Sequence, residues 1–273
     1  MQNGYYASAG GMVAQFNRLD TITNNLANVN TAGYKKDALI TGDFMRLYKE
    51  ARDELPNANQ TVEGAQFYQR TMARVPQITD HYTDHSAGSL QQTGNTFDFA
   101  LKEDAVFFAV KTPQGIRLTR DGIFTMNDDG KLVTKQGYEV LPSDYFETGN
   151  AIAFNVQDSI IEADKNGKLY MALPGTVQMV QSSQLMILQP ENLRTLEKEG
   201  DGLFRADDIE SMMIAEESGA VMQGFVEKSN VNPIKEMIGL IEAQRMVEMY
   251  QKAMDTQMND LNRDAIEKLA YKK

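Results

Sequence analysis

Cysteine and tryptophan are absent from the 273 residues, and histidine occurs only twice. Without a thiol, disulfide scaffolds, thiolate zinc sites, iron–sulfur clusters and cysteine nucleophiles are excluded together. Two histidines leave little material for histidine catalysis or a metal centre. Long apolar runs are lacking as well. The longest extends from Ala105 to Val110, far short of the ~20 residues a bilayer span needs, so no transmembrane insertion is expected. Nor is there an excess of positive charge: 27 Lys and Arg face 38 Asp and Glu, a net charge of −11. That balance opposes affinity through counterion release at a phosphate backbone, and nucleic acid is not an expected partner. The first basic residue is Arg18, with no apolar stretch of leader length around it, so no cleaved signal peptide is expected. What remains is the composition of a globular chain, 42% hydrophobic and 24% charged, held by packing rather than covalent staples.

The two ends read as helices that need partners. Tyr5, Ala9, Met12, Phe16, Leu19, Thr23 and Leu26 alternate spacings of four and three, the heptad seam of a helix facing another helix. Asn28, Asn30 and Gly33 tolerate the left-handed backbone that follows a helix end, so the helix is expected to stop near Val29. At the other end Pro233 suits a first helical turn, and the pattern predicts a helix to about Lys268. Leu240, Ala243, Val247, Tyr250, Met254 and Leu261 fall on its heptad positions, with Gln257 interrupting. Ile234, Met237, Ile238, Ile241, Met246, Met249 and Met258 widen the apolar face beyond what one partner helix covers. The competing reading folds both helices back onto the middle of the chain.

That middle has another character. Strand-like runs at Val106–Lys111, Ile116–Thr119, Ile123–Met126, Leu132–Thr134 and Tyr138–Leu141 are separated by glycine-bearing turns, which predicts an antiparallel meander. A second β segment is expected from Ile152 to about Leu188, with a hairpin turn at Asp164–Gly167, then a short helix over Asn192–Lys198. The fold class expected is α+β: long N- and C-terminal helices paired as a coiled-coil-like terminal domain, with a mainly antiparallel β middle region. Residues 1–33 with 232–273 form the helical domain, 34–75 a connector, 76–145 with 199–231 a β-rich domain, and 146–198 an outer β segment that varies.

Candidate chemistry fails on inspection. His81 and His85 would share a face on a helix, but two histidines do not close a tetrahedral metal site without Asp80 or Asp84. Asp164, Asn166 and Gly167 resemble part of a calcium loop whose twelfth position is Leu173, which cannot ligate, and Asn127–Gly130 fails similarly with Gln136 last. Gly200-Asp201-Gly202 lacks the third glycine of a dinucleotide turn, and no nucleophile elbow occurs. Asp128 with Asp129 and Asp207 with Asp208 sit in polar turns. No catalytic residue, metal or cofactor is expected.

Asn24-Asn25-Leu26-Ala27-Asn28-Val29-Asn30-Thr31-Ala32-Gly33-Tyr34-Lys35 resembles the amino-terminal signature of bacterial flagellar rod and hook proteins. Gln223-Gly224-Phe225-Val226-Glu227-Lys228-Ser229-Asn230-Val231-Asn232 is similar to the segment before that family's carboxy-terminal helix, and Glu242-Ala243-Gln244-Arg245 with Glu248 to the helix itself. Val247 stands where the family often has an aromatic residue. Asp98-Phe99-Ala100-Leu101, Phe107-Phe108, Thr119-Arg120-Asp121-Gly122 and Gly137-Tyr138 resemble its β-domain pattern, whereas residues 147–189 carry no such motif. Gly200–Arg205 and Asn232-Pro233-Ile234 look more like proximal-rod than distal-rod members. The resemblance implies a rod subunit, not an enzyme, exported through the flagellar type III channel and assembled helically around it in the periplasmic basal body. Its partners would be other copies of itself, other rod proteins and the export apparatus, with the surrounding rings a further candidate. The subunit-interface residues it implies are Met12, Phe16, Leu19, Asn25, Leu26, Asn28, Ser229, Asn230, Val231, Leu240, Gln244, Arg245, Val247, Met254 and Leu261. A distal-rod or hook protein, a soluble acidic enzyme with an intramolecular helical hairpin, and a coiled-coil adaptor are the alternatives.

Overall fold

In the computed structural model the described residues are 2–43, 76–154, 160–172, 179–207, 209, 212–214 and 219–270. Most of the connector expected over 34–75, namely 44–75, lies outside them. The chain divides into two units: residues 1–27, 37–82 and 232–273 form one, and residues 28–36 with 83–231 the other. The segment 28–36, which contains the end expected for the helical domain, thus clusters with the β-rich part.

The first unit holds helix α1 (Gln2–Ala27), strands β1 (Asp37–Asp43) and β2 (Pro76–Thr83), which pair, and helix α3 (Pro233–Ala270). Gly11 of α1 lies against the Tyr250 ring, Arg18 reaches Glu242 at 3.7 Å and Ile22 meets Gly239. These pairings run in opposite directions along the two chains, so the helices are antiparallel. Asn232 starts α3 by capping it: its side-chain oxygen accepts from Ile234 N at 3.1 Å and Lys235 N at 3.2 Å, satisfying donors the first turn cannot.

The terminal helices do not form the coiled-coil-like domain expected. Both helices form, but the body between them is mostly antiparallel β, and the helices share their unit with β1 and β2. Nor does α1 bury its heptad seam. Among its described side chains the buried residues are Gly11, Ala14, Ile22 and Asn25, while Phe16 and Thr23 are exposed and Met12, Leu19 and Leu26 half-buried. The physical reason is size. A Cβ on Gly11 would stand 2.5 Å from the Tyr250 ring, so the helices approach on their small side, and bulkier Phe16 and Met12 cannot occupy that line.

The second unit is built of β strands. β5 (Phe107–Thr112), β6 (Gly115–Thr119), β7 (Phe124–Met126), β8 (Leu132–Thr134) and β9 (Glu139–Val140) lie in one nine-stranded sheet with β13 (Ile187–Gln189), β14 (Glu197–Lys198), β15 (Leu203–Arg205) and β16 (Met213–Ile214). The order is β14-β15-β6-β5-β9-β8-β7, not the simple meander expected, because β9 pairs with β5 and separates it from β8. Asp121-Gly122 is therefore not a hairpin turn. Gly122 O accepts from Phe99 N at 2.9 Å and a Cβ there would collide with the Phe99 carbonyl, so the chain passes beneath strand β4 (Phe99–Leu101) before β7 begins.

The Asp164–Gly167 turn is a hairpin, joining β10 (Ile160–Ala163) to β11 (Lys168–Ala172), with β12 (Met179–Gln184) completing a three-stranded sheet. Leu193–Thr195 is a single 3-10 turn where a short helix is expected, and α2 (Tyr145–Thr148) is one turn long. One cluster gathers Phe99, Phe108, Phe124, Leu132, Leu169 and Ile187, and a second gathers Phe107, Leu118, Leu141, Met186 and Phe204. Each such side chain contributes about 1.5–3 kcal/mol by leaving water.

Candidate functional site

In the helical unit, Val13 and Phe16 on α1 and Ile234, Met237, Ile238, Ile241, Met249 and Met258 on α3 are exposed, from 44% for Phe16 to 64% for Ile234. On α3 the first four lie at i, i+3, i+4 and i+7, a single apolar stripe over two turns. Beside them Gln244 and Arg245 are exposed, Leu240 and Met254 half-buried, and Val247 is buried with Ala243. The Leu261 side chain lies outside the described residues. Asn25 is buried for a local reason: its carboxamide donates to Asp37 O at 2.8 Å and accepts from Asp37 N at 3.0 Å, tying the end of α1 to the start of β1. A polar side chain is tolerated there because both halves of the amide are satisfied.

In the β unit the signature segment 28–36 is held by a buried charge cluster. Lys35 Nζ donates to Glu227 Oε1 at 2.6 Å and to Ser86 O at 2.7 Å. Arg120 Nε donates to Glu227 Oε2 at 2.8 Å, and its guanidinium also binds the carbonyls of Glu103, Val106 and Leu101. All three charged side chains are 0–1% exposed. Burial pushes the Glu227 carboxyl up, but Arg120 and Lys35 more than offset this and hold it below the ordinary range. Burial pulls Lys35 down, opposed by Glu227 and reinforced by Arg120. One carboxylate is thus shared by two cations.

Gly33 follows from the same packing. Its φ is +66°, its N–H donates to Glu227 O at 2.8 Å, and a Cβ would stand 2.3 Å from the Arg120 backbone. Only glycine fits both the backbone and the space. Asn230 closes the far side, accepting from Lys36 N at 2.8 Å and donating to Asp84 O at 2.7 Å. Ser229 Oγ accepts from Val231 N at 3.3 Å, and Asn28 Oδ1 from the Thr31 hydroxyl at 3.2 Å. Lys198 lies 3.8 Å over the Tyr34 ring.

Of the expected interface residues, Phe16, Gln244 and Arg245 face solvent, and Met12, Leu19, Leu26, Leu240 and Met254 are partly covered. Asn25, Ser229, Val231 and Val247 are buried, while Asn28 and Asn230 bond locally. Sequence reasoning missed Lys35, Arg120 and Glu227 as a group. The available signal was their position inside three quoted motifs, in places where an isolated charge reads as solvated. His81 lies on β2 and His85 beyond its end, so no helix face joins them. Among the described residues no group of three or more His, Cys, Asp or Glu side chains could hold a metal ion, and no helix is long and apolar enough to cross a membrane. Asp208 lies outside the described residues.

One feature is an exposed apolar stripe and the other a buried charge cluster that joins the 28–36 segment to the rest of the β unit. Three family models match: the flagella basal body rod protein over residues 6–35, the flagellar hook protein FlgE/F/G D1 domain over 104–179, and the flagellar basal body rod FlgEFG protein C-terminal over 222–266. The chain is 32% identical over 249 residues to the flagellar basal-body rod protein FlgF of Mesorhizobium japonicum, covering 91% of this chain and 90% of that one. It is 33% identical over 259 residues to FlgG of Agrobacterium fabrum (91% and 93%), and 30% over 257 to FlgG of Buchnera aphidicola from Acyrthosiphon pisum (92% and 94%). The chain belongs to the flagellar basal-body rod protein family. It is accordingly a structural subunit of the basal body, not an enzyme, and assembles with other rod components.

Proposed function

We propose that the chain polymerises helically around the export channel as part of the drive shaft that carries motor torque to the hook and filament, and that it takes a proximal-rod place. The observation that supports this is the apolar stripe Ile234, Met237, Ile238 and Ile241, which a lone chain leaves in water. Contiguous exposed apolar surface marks an interaction site. Helical symmetry supplies a heterologous neighbour for it without closing a ring. Phe16, Gln244 and Arg245 join that interface, with Met12, Leu19, Leu26, Leu240 and Met254 at its margins. The methionines accommodate neighbours that are not identical, since a thioether side chain adapts its shape. Passage through the type III apparatus belongs to the same reading.

The test pairs Phe16→Asp with Ile238→Asp. The variant is expected to keep the circular dichroism spectrum of the wild type, to sediment as a monomer under conditions where the wild type forms long particles, and to fail to restore motility to cells lacking their own copy. Wild-type sedimentation as a discrete closed oligomer, or full motility of the variant, would sink the proposal.

A further inference from the structure

His85 stands apart from everything the rod assignment uses. Its ring is half-buried in the β unit, 5.9 Å edge-on from Phe107 of β5 and 5.5 Å from Phe204 of β15. Its Nδ1 is buried and meets no hydrogen-bond partner. The charged groups acting on the ring are Lys35 from the 28–36 segment, Arg120 from the turn after β6 and neighbouring Asp84; the Leu193 backbone also favours the protonated form. Lys35 and Arg120 already share the single carboxylate of Glu227.

The residues flanking His85 hold the signature segment. Asp84 N donates to Lys36 O at 2.9 Å, Ser86 O accepts from Lys35 Nζ at 2.7 Å, and Asn230 binds the carbonyls of Asp84 and Ser86. The Lys36 ammonium reaches the Asp84 carboxylate at 3.3 Å. Residues 84–86 therefore form a strap across Lys35 and Lys36, with the His85 ring as the peg that seats it.

We propose that His85 is a proton-operated latch on residues 28–36: the neutral ring seats the strap, and protonation unseats it. A proton on Nδ1 would place an N–H where no acceptor stands and a third cation beside Lys35 and Arg120. Arg120 is fixed by Glu227 and three backbone carbonyls and Lys35 by Glu227, so the ring and its strap are what leave. Burial and the two cations accordingly hold the imidazole below its ordinary value. A base depressed in the fold gives stability that is complete above its unfolded value, about 6.5, and lost as pH falls below that value.

The experiment is amide exchange on the full-length chain at pH 7.5 and 5.5, with protection factors corrected for the intrinsic pH dependence. In the wild type, opening at Gly33 and Asp84 should rise up to about tenfold at the lower pH, the limit for one histidine. His85→Phe keeps an aromatic ring and should abolish that rise. In parallel, the His85 ring proton is titrated in the intact wild type, with His81→Gln to assign it, so the measurement survives failure of the Phe variant to fold. A midpoint clearly below 6.5 supports the latch. A midpoint at or above 6.5, or an equal rise in His85→Phe, overturns it.

Discussion

The two units differ in how they dispose of their large apolar side chains, although Phe146, Val180 and Met213 of the β unit are exposed as well. In the β unit Phe99, Phe107, Phe108, Phe124 and Phe204 are at most 1% exposed, and its buried charges meet their partners inside. In the helical unit two helices press together on glycine and alanine and leave isoleucine, methionine and phenylalanine in water. The first behaves as a finished fold. The second has the surface of something still to be completed, because a helix pair that meets on its small side buries too little apolar area for its composition.

Breaking the β unit should have the largest effect. Glu227→Gln leaves Lys35 and Arg120 buried without a counter-charge and should cost about 3–5 kcal/mol, read by urea unfolding. Acid does the same reversibly. The Glu227 carboxyl is held below its ordinary 4.5, so its stabilisation is complete above that value and disappears as pH falls through the lower one it has in the fold. Thermal melts across that range should show the loss in the wild type and its absence in Glu227→Gln.

A smaller effect is expected from Gly11→Val, whose side chain must displace the Tyr250 ring, at about 1–3 kcal/mol. Exchange protection should fall in α1 and α3 and stay constant in β5 and β6; a matching fall in the strands would erase the distinction between the units. Smallest of all, Ile238→Ser touches an exposed stripe and should shift stability by no more than about 0.5 kcal/mol. A shift of several kcal/mol would show that the stripe is already covered in the isolated chain.

Much of this was legible in the amino acids, and the remainder was hidden for physical reasons. The ends of both helices, the short strands and the hairpin at Gly167 follow from local periodicity and turn chemistry, which act over a few residues. The side on which α1 meets α3 does not, since stripes of spacing three and four run along every face of a helix, and steric fit between Gly11 and Tyr250 chooses among them. Sheet order was concealed likewise: Gly122 looks like a turn residue, but its role is close approach to Phe99. The charge cluster was least visible, because nothing local to Lys35, Arg120 or Glu227 announces that the other two are near. Nor does anything local to Asn25 or Asn230 announce that their amides complete backbone bonding at Asp37 and Lys36.

The spacing of that cluster along the chain sets an order of events. Glu227 follows Lys35 by 192 residues and Arg120 by 107. A polypeptide emerging amino end first therefore carries two cations whose shared carboxylate arrives only near the end. Until it does, burying the two cations costs about 3–5 kcal/mol, so closure around an incomplete chain is disfavoured. Closure is thereby coupled to a late residue: a chain truncated before 227 has both cations and lacks the carboxylate that stabilises them in the closed body.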